Sequence, residues 1–232
     1  MKMKKISLII VAMDEELNAF LSGLDFPYSK IDILNEKGYY FEKYNKEYIV
    51  IKGKIGKSST SLYLGRLSMI YDIERIFNLG TSGGVSNVLK VGDVVVASEV
   101  LYHDVDVEAF GYPYGQVPGF PFTYHCDPSY LNKELIFDDF KVYQGRISSG
   151  DSFITKKNID NYPIKKFNSL AVEMEAAAVG QSAYQLNVPF VVIRSISDIT
   201  TADENEKEST FNIEACSDHC AKVLLKLLEY NK

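Results

Sequence analysis

Apolar residues in this chain fall into short runs separated by stretches with helical spacing, and that alternation is what first constrains the fold. Runs of four to eight apolar residues bounded by turn formers fit buried strands, and recurrence at i, i+3 and i+4 fits amphipathic helices. Strands are predicted over Lys5–Ala12, Tyr39–Tyr44, Tyr48–Lys52, Arg75–Leu79, Val94–Tyr102, Val142–Ser148, Leu170–Val172 and Phe190–Ser195. Helices are predicted over Asp14–Leu21, Ser58–Tyr71, Glu175–Leu186 and Ser209–Tyr230. Strands interleaved with helices imply an α/β fold. The segment Tyr39 to Lys52 reads as a hairpin around Asn45-Lys46, so the sheet is mixed. The hydrophilic run Asp203 to Glu208 reads as a solvated loop before the last helix, and as a candidate lid.

Three of the predicted strands run into carboxylates: Asp14-Glu15-Glu16, Glu173 with Glu175, and Asp198. Ligands of open α/β sheets bind just beyond the carboxyl ends of strands, so these acids point to one shared site. Each also has a purely structural reading. Acids in a first helical turn are favoured by the macrodipole at about 0.3–1 kcal/mol, which suits Asp14, Glu15 and Glu16 alike. Either of Glu173 and Glu175 could cap the alanine-rich helix, and Asp198 could cap a turn. Phe153 by itself reads as a core aromatic.

Composition narrows the class. A chain of 232 residues with 46% apolar content is compatible with one α/β domain spanning 1–232. A net charge of −6 argues against nucleic acid or an anionic membrane surface as partner. Lys2, Lys4 and Lys5 precede an apolar run of about seven residues that leads into acids instead of a cleavage site, so it reads as a first strand and not a leader. Cys126, Cys216 and Cys220 suggest no disulfide framework, which favours the cytoplasm. Cys216 and Cys220 share a helical stripe with Ile213, Val223, Leu224 and Leu227, which assigns them to packing and not to a metal with His219.

Two glycine motifs mislead. Gly56-Lys57-Ser58 ends like a phosphate-binding loop, but position 51 is Ile where that loop needs Gly. Gly80-Thr81-Ser82-Gly83-Gly84 lacks the dinucleotide-binding order. The pair His103-Asp104 is not read as a catalytic dyad, because neighbouring side chains on a strand face opposite ways.

Taken together, the segments Ala12-Met13-Asp14-Glu15-Glu16, Gly53-Lys54-Ile55-Gly56-Lys57, Asn78-Leu79-Gly80-Thr81-Ser82-Gly83-Gly84, Tyr102 to Tyr112, Tyr114 to Gly119, Ser149 to Ile154, Val172-Glu173-Met174-Glu175-Ala176 and Val188 to Asp198 resemble the bacterial 5′-methylthioadenosine/S-adenosylhomocysteine nucleosidases, nearly end to end. The resemblance implies a three-layer αβα, nucleoside phosphorylase-like fold with a central mixed sheet. It also implies hydrolysis of an N-ribosyl bond through an oxocarbenium-like transition state, with no metal and no cofactor.

By that resemblance Asp198 is the general acid toward N7 of adenine, and Glu16 activates water oriented by Arg194 and Thr81. Glu175 grips the ribose hydroxyls with Glu173 as a supporting contact, and Met174 packs on the sugar. Phe153 stacks on the purine and the Ile154 backbone reads its edge, while Met13, Ile55, Gly83 and Ser197 complete the pocket. Val107, Phe110 and Pro118 resemble positions that reach into a partner subunit's pocket, which implies a homodimer. Asp14 stands where a Glu is common and Thr81 where a Ser is common. Three other readings stay open: a futalosine-type hydrolase, a phosphate-dependent purine nucleoside phosphorylase, and a noncatalytic nucleoside-binding module. The phosphorylase would need basic groups, yet the only arginines are Arg66, Arg75, Arg146 and Arg194.

Overall fold

The computed structural model describes residues 3–230, so Lys2 lies outside the described residues. Strand β1 (Lys4–Val11) lies between β4 (Lys46–Lys52) and β5 (Tyr71–Gly84), parallel to both. On the far side of β4, the strands β3 (Glu36–Lys43) and β2 (Ser29–Ile33) continue antiparallel. On the other side, β5 pairs in parallel with β10 (Phe190–Ile199), which runs antiparallel to β6 (Val94–Tyr102). Next come β8 (Val142–Ser149) and β9 (Ala171–Glu173), and β9 returns to β5, so five strands close on themselves. The short β7 (Tyr124–His125) pairs with β6.

Helices cover both faces, as expected for an αβα arrangement. Leu17, Phe20 and Leu21 of α1 (Asp14–Ser22) share one core with Val223, Leu224 and Leu227 of α4 (Asn205–Glu229). Tyr63, Leu64 and Leu67 of α2 (Lys57–Ser68) share the other with Ala176, Val179 and Ala183 of α3 (Ala176–Leu186). Strand β1 serves both: Ile6, Leu8 and Ile10 enter the α2/α3 core, and Ile9 and Val11 the α1/α4 core. A strand buried on both faces reads as a continuous apolar run, and each such side chain contributes about 1.5–3 kcal/mol. Cys216 and Cys220 are buried on α4, their thiols donating to the carbonyls of Ile196 and Ile193, and the His219 ring stacks on Phe140.

Several boundaries differ from expectation. The strand predicted at Arg75–Leu79 is the fourteen-residue β5, which takes in the end of the expected helix and all of Gly80 to Gly84. Pairing on both edges, with β1, β10 and finally β9, overrides the turn preference of those glycines. Asp203 to Glu208 is not a loop throughout, since α4 opens at Asn205 with Glu206 and Glu208 in the first turn, where free N–H groups favour acids. The hairpin turn sits at Tyr44 and Asn45, both at positive φ, one residue earlier than predicted. Edge strand β2, with exposed Lys30 and Asp32, carries too little apolar pattern to be found. No helix among the described residues is long and apolar enough to cross a membrane.

Candidate active site

Where β1, β5, β9 and β10 end, they surround a cavity of about 710 Å³, its open mouth included. Twelve of the residues singled out from the sequence line it: Met13, Glu16, Ile55, Thr81, Gly83, Phe153, Ile154, Glu173, Met174, Glu175, Ser197 and Asp198. Arg194 lies just behind, 1% exposed. Val107, Phe110 and Pro118 do not line this cavity, and Phe110 is 80% exposed on the turn Glu108–Phe110.

Glu16 is buried at the third position of α1, and its carboxylate holds three backbone N–H groups: Ala12 at 2.9 Å, Met13 at 3.2 Å and Thr81 at 3.0 Å. The first-turn reading of this acid therefore holds, and the same carboxylate also faces the cavity. Asp14 and Glu15, by contrast, point outward, Asp14 to Lys52 at 2.6 Å. Thr81 meets Glu16 through its backbone and not its hydroxyl. Gly80 is required here, since a Cβ would sit 2.8 Å from the Glu16 carboxylate. Burial pushes Glu16 above the usual carboxylate range, opposed by Arg194 and the three N–H groups.

Glu173 and Glu175 divide their work in a way the spacing left open. Glu173 closes the start of α3: it accepts N–H bonds from Glu175 at 2.9 Å and Ala176 at 3.0 and 2.9 Å, plus the Ser149 hydroxyl and Arg194 at 2.6 Å. Glu175 precedes that helix and accepts the Gly56 N–H at 2.8 Å, across 119 residues. Gly56 adopts φ +98, open to glycine alone at little cost, which turns this N–H inward. Burial, then the charge of Glu173, pushes Glu175 up to about 8, against Arg194 and the Gly56 N–H.

This shift has a consequence for stability. A carboxyl raised from 4.5 to about 8 on folding contributes stability that is present below pH 4.5 and lost as pH rises through about 8. The melting temperature of the ligand-free protein is expected to fall over that window, and Glu175→Gln to flatten the fall. An equally steep fall in the variant would assign it to another group.

Arg194 links these acids from behind. Its guanidinium donates to Glu173 and the Asn78 side chain, each at 2.6 Å, and lies 3.8 Å from Glu175. Asn78, which in turn donates to the Ile10 carbonyl at 3.2 Å, carried no sequence signal beyond its place before Leu79-Gly80. Asp198 is reached differently. The β10–β5 register slips between Ile196 and Asp198, and such a bulge re-aims the following side chain. Its carboxylate accepts the Ser197 hydroxyl at 2.9 Å and the Asn205 amide at 2.6 Å, while burial pushes it up.

Phe153 is 45% exposed at the cavity wall instead of buried, and Ile55 is 52% exposed beside it. Ser152, Ser209 and Ile213 also line the wall, which the sequence had not marked. His103 and Asp104 diverge: His103 is buried against Gly150 and Tyr162, whereas Asp104 pairs with Lys57 at 2.6 Å.

Residues 7–229 match the phosphorylase superfamily. A 5′-methylthioadenosine/S-adenosylhomocysteine nucleosidase from an Exiguobacterium species is 39% identical over 224 residues, covering 94% of either chain. Its Bacillus subtilis counterpart is 35% identical over 227 residues, covering 95% of this chain and 97% of its own. The structure of the Streptococcus pneumoniae nucleosidase with the transition-state inhibitor MT-ImmA superposes with a TM-score of 0.88 at 32% identity, covering 98% of this chain and all (100%) of the other. This chain therefore belongs to the 5′-methylthioadenosine/S-adenosylhomocysteine nucleosidase family of the phosphorylase superfamily.

Proposed function

We propose that this protein hydrolyses the N-ribosyl bond of 5′-methylthioadenosine and S-adenosylhomocysteine, giving adenine with methylthioribose or S-ribosylhomocysteine. The observation that carries this reading is a cavity lined by Glu16, Glu173, Glu175 and Asp198, with no lysine or arginine among the described residues that line it. Such a lining offers phosphate no cationic partner and suits water as nucleophile. Arg75 and Arg146 are engaged elsewhere, with Asp127 at 2.9 Å and Glu99 at 2.7 Å.

The C1′–N9 bond breaks, its electron pair goes to the base, and N7 takes a proton from Asp198. Burial raises the proton affinity of that carboxyl, the direction a proton donor requires. Water adds to C1′ and yields its proton to Glu16, whose raised proton affinity suits a base. Glu175 accepts the ribose hydroxyls, and the cation growing on the ring favours its ionised form, so it stabilises the transition state more than the bound substrate. Phe153 stacks on the purine, the Ile154 backbone reads its edge, and Met174 packs on the sugar. Met13, Ile55, Thr81, Gly83 and Ser197 shape the rest of the pocket, and Arg194 balances the acids from behind.

The same reading treats the chain as one catalytic domain working as a cytoplasmic homodimer in methionine salvage. Val107, Phe110 and Pro118 would enclose the 5′-thio group in the partner's pocket, and the 80% exposure of Phe110 away from its own cavity supports this. The test is adenine release from 5′-methylthioadenosine and from S-adenosylhomocysteine in phosphate-free buffer, repeated with phosphate. Release without phosphate from both is expected. Release only with phosphate would reassign the protein as a phosphorylase, and binding without release would make it a nucleoside-binding module.

A further inference from the structure

Asn205, in the first turn of α4, is 1% exposed, and its side-chain nitrogen has two oxygen partners: Asp198 at 2.6 Å and the backbone carbonyl of Ile154 at 3.0 Å. A backbone carbonyl only accepts, so the group facing it is the NH2, and the same nitrogen meets Asp198. Asn205 itself does not line the cavity, whereas Asp198 and Ile154 do, so it holds them from outside the space a ligand would fill. Other bonds fasten the same stretch of α4 to the end of β10: Glu208 accepts the Ile199 N–H at 3.1 Å, and Asn212 donates to the Ser197 carbonyl at 3.2 Å.

We propose that Asn205 is a positioning residue for proton transfer, a bracket that sets the carboxyl of Asp198 at a fixed separation from the backbone of Ile154. This rests on the reading above, in which Asp198 protonates the base and Ile154 reads its edge. One nitrogen joining the two means that a base aligned on Ile154 meets the proton donor in register. The first turn of α4 thereby becomes part of the catalytic geometry without touching substrate. Proton transfer needs heavy atoms within about 2.6–3.2 Å, and a misplacement near 1 Å costs on the order of 100-fold, so the bracket has a measurable effect.

Asn205 also donates to the charged form of Asp198, as does Ser197, and both oppose the upward push of burial. The other groups facing Asp198 are Glu208 and Ser209 from α4, while Glu16, Glu173 and Glu175 line the cavity from α1, β9 and the start of α3, with Arg194 behind them. The loop carrying Ile154 adds only Ser152 and Phe153, and β5 adds Thr81, Ser82 and Gly83.

The experiment compares kcat and KM for 5′-methylthioadenosine over a range of pH in the wild type, Asn205→Ala and Asn205→Asp. In Asn205→Ala, kcat is expected to drop about 10- to 100-fold with a smaller change in KM. The alkaline limb of kcat, where the acid loses its proton, should move to higher pH because a donor to the charged form has gone. Asn205→Asp keeps the shape, faces one carboxyl with another, and should move the limb further, which keeps the test decisive should the alanine variant fold poorly. A kcat within twofold of wild type, or a loss of kcat with an unmoved limb, overturns the proposal. A wild type that releases no adenine would instead overturn the functional reading on which it rests.

Discussion

Asp198→Asn is expected to lower turnover of 5′-methylthioadenosine at least ~10²-fold while nucleoside binding is largely retained. General acid catalysis contributes about 10²- to 10⁴-fold, and an amide of the same shape cannot supply the proton. The Ser197 hydroxyl can still donate to the amide oxygen, so the bulged end of β10 has reason to keep its course. The Asn205 contact is the one at risk, because an NH2 would then face an NH2 unless one side chain flips. Single-turnover adenine release beside equilibrium binding separates these effects. Wild-type turnover in the variant would remove Asp198 from the mechanism, and loss of binding together with turnover would mean that the side chain holds the pocket instead of donating a proton.

Arg194→Leu is expected to destabilise the protein by about 3–5 kcal/mol, the cost of leaving a buried charge uncompensated. The ion pair with Glu173 is almost fully enclosed, at 1% and 3% side-chain exposure, with the carboxyls of Glu175 and Glu16 close by. For a chain of this length the loss corresponds to roughly 6–20 °C in melting temperature. Because the penalty comes from the orphaned acids, lowering the pH should recover part of it, and the double variant with Glu173→Leu should be more stable than Arg194→Leu alone. A single variant that melts with the wild type would show that Arg194 does not balance these carboxylates. Lysine is a poor substitute, since one ammonium cannot reach Glu173 and both oxygens of Asn78 with the fork of a guanidinium.

Local pattern carried much of the fold. The runs that became β1, β6, β8 and β10 and the stripes of α1 to α4 were legible because burial gives an inner strand a continuous apolar run and gives a helix an apolar stripe at a period of 3.6. Elements without such a pattern were missed or cut short. Strand β2 is exposed at the sheet edge, and the far end of β5 runs through glycines that only pairing with β10 and β9 holds extended.

In the site, residue order alone determined which chemistry was present: acids at three strand ends, few arginines, glycines beside them, and a family resemblance spanning nearly the whole chain. Only the tertiary structure decided how the acids divide. Glu16 faces the cavity while Asp14 turns to Lys52, Glu173 closes α3 while Glu175 meets Gly56, and Asn205 joins Asp198 to Ile154. Capping and periodicity treat neighbouring carboxylates alike, because both act within a turn or two of chain. What separates them is burial together with partners 21 to 119 residues away, which no local pattern contains.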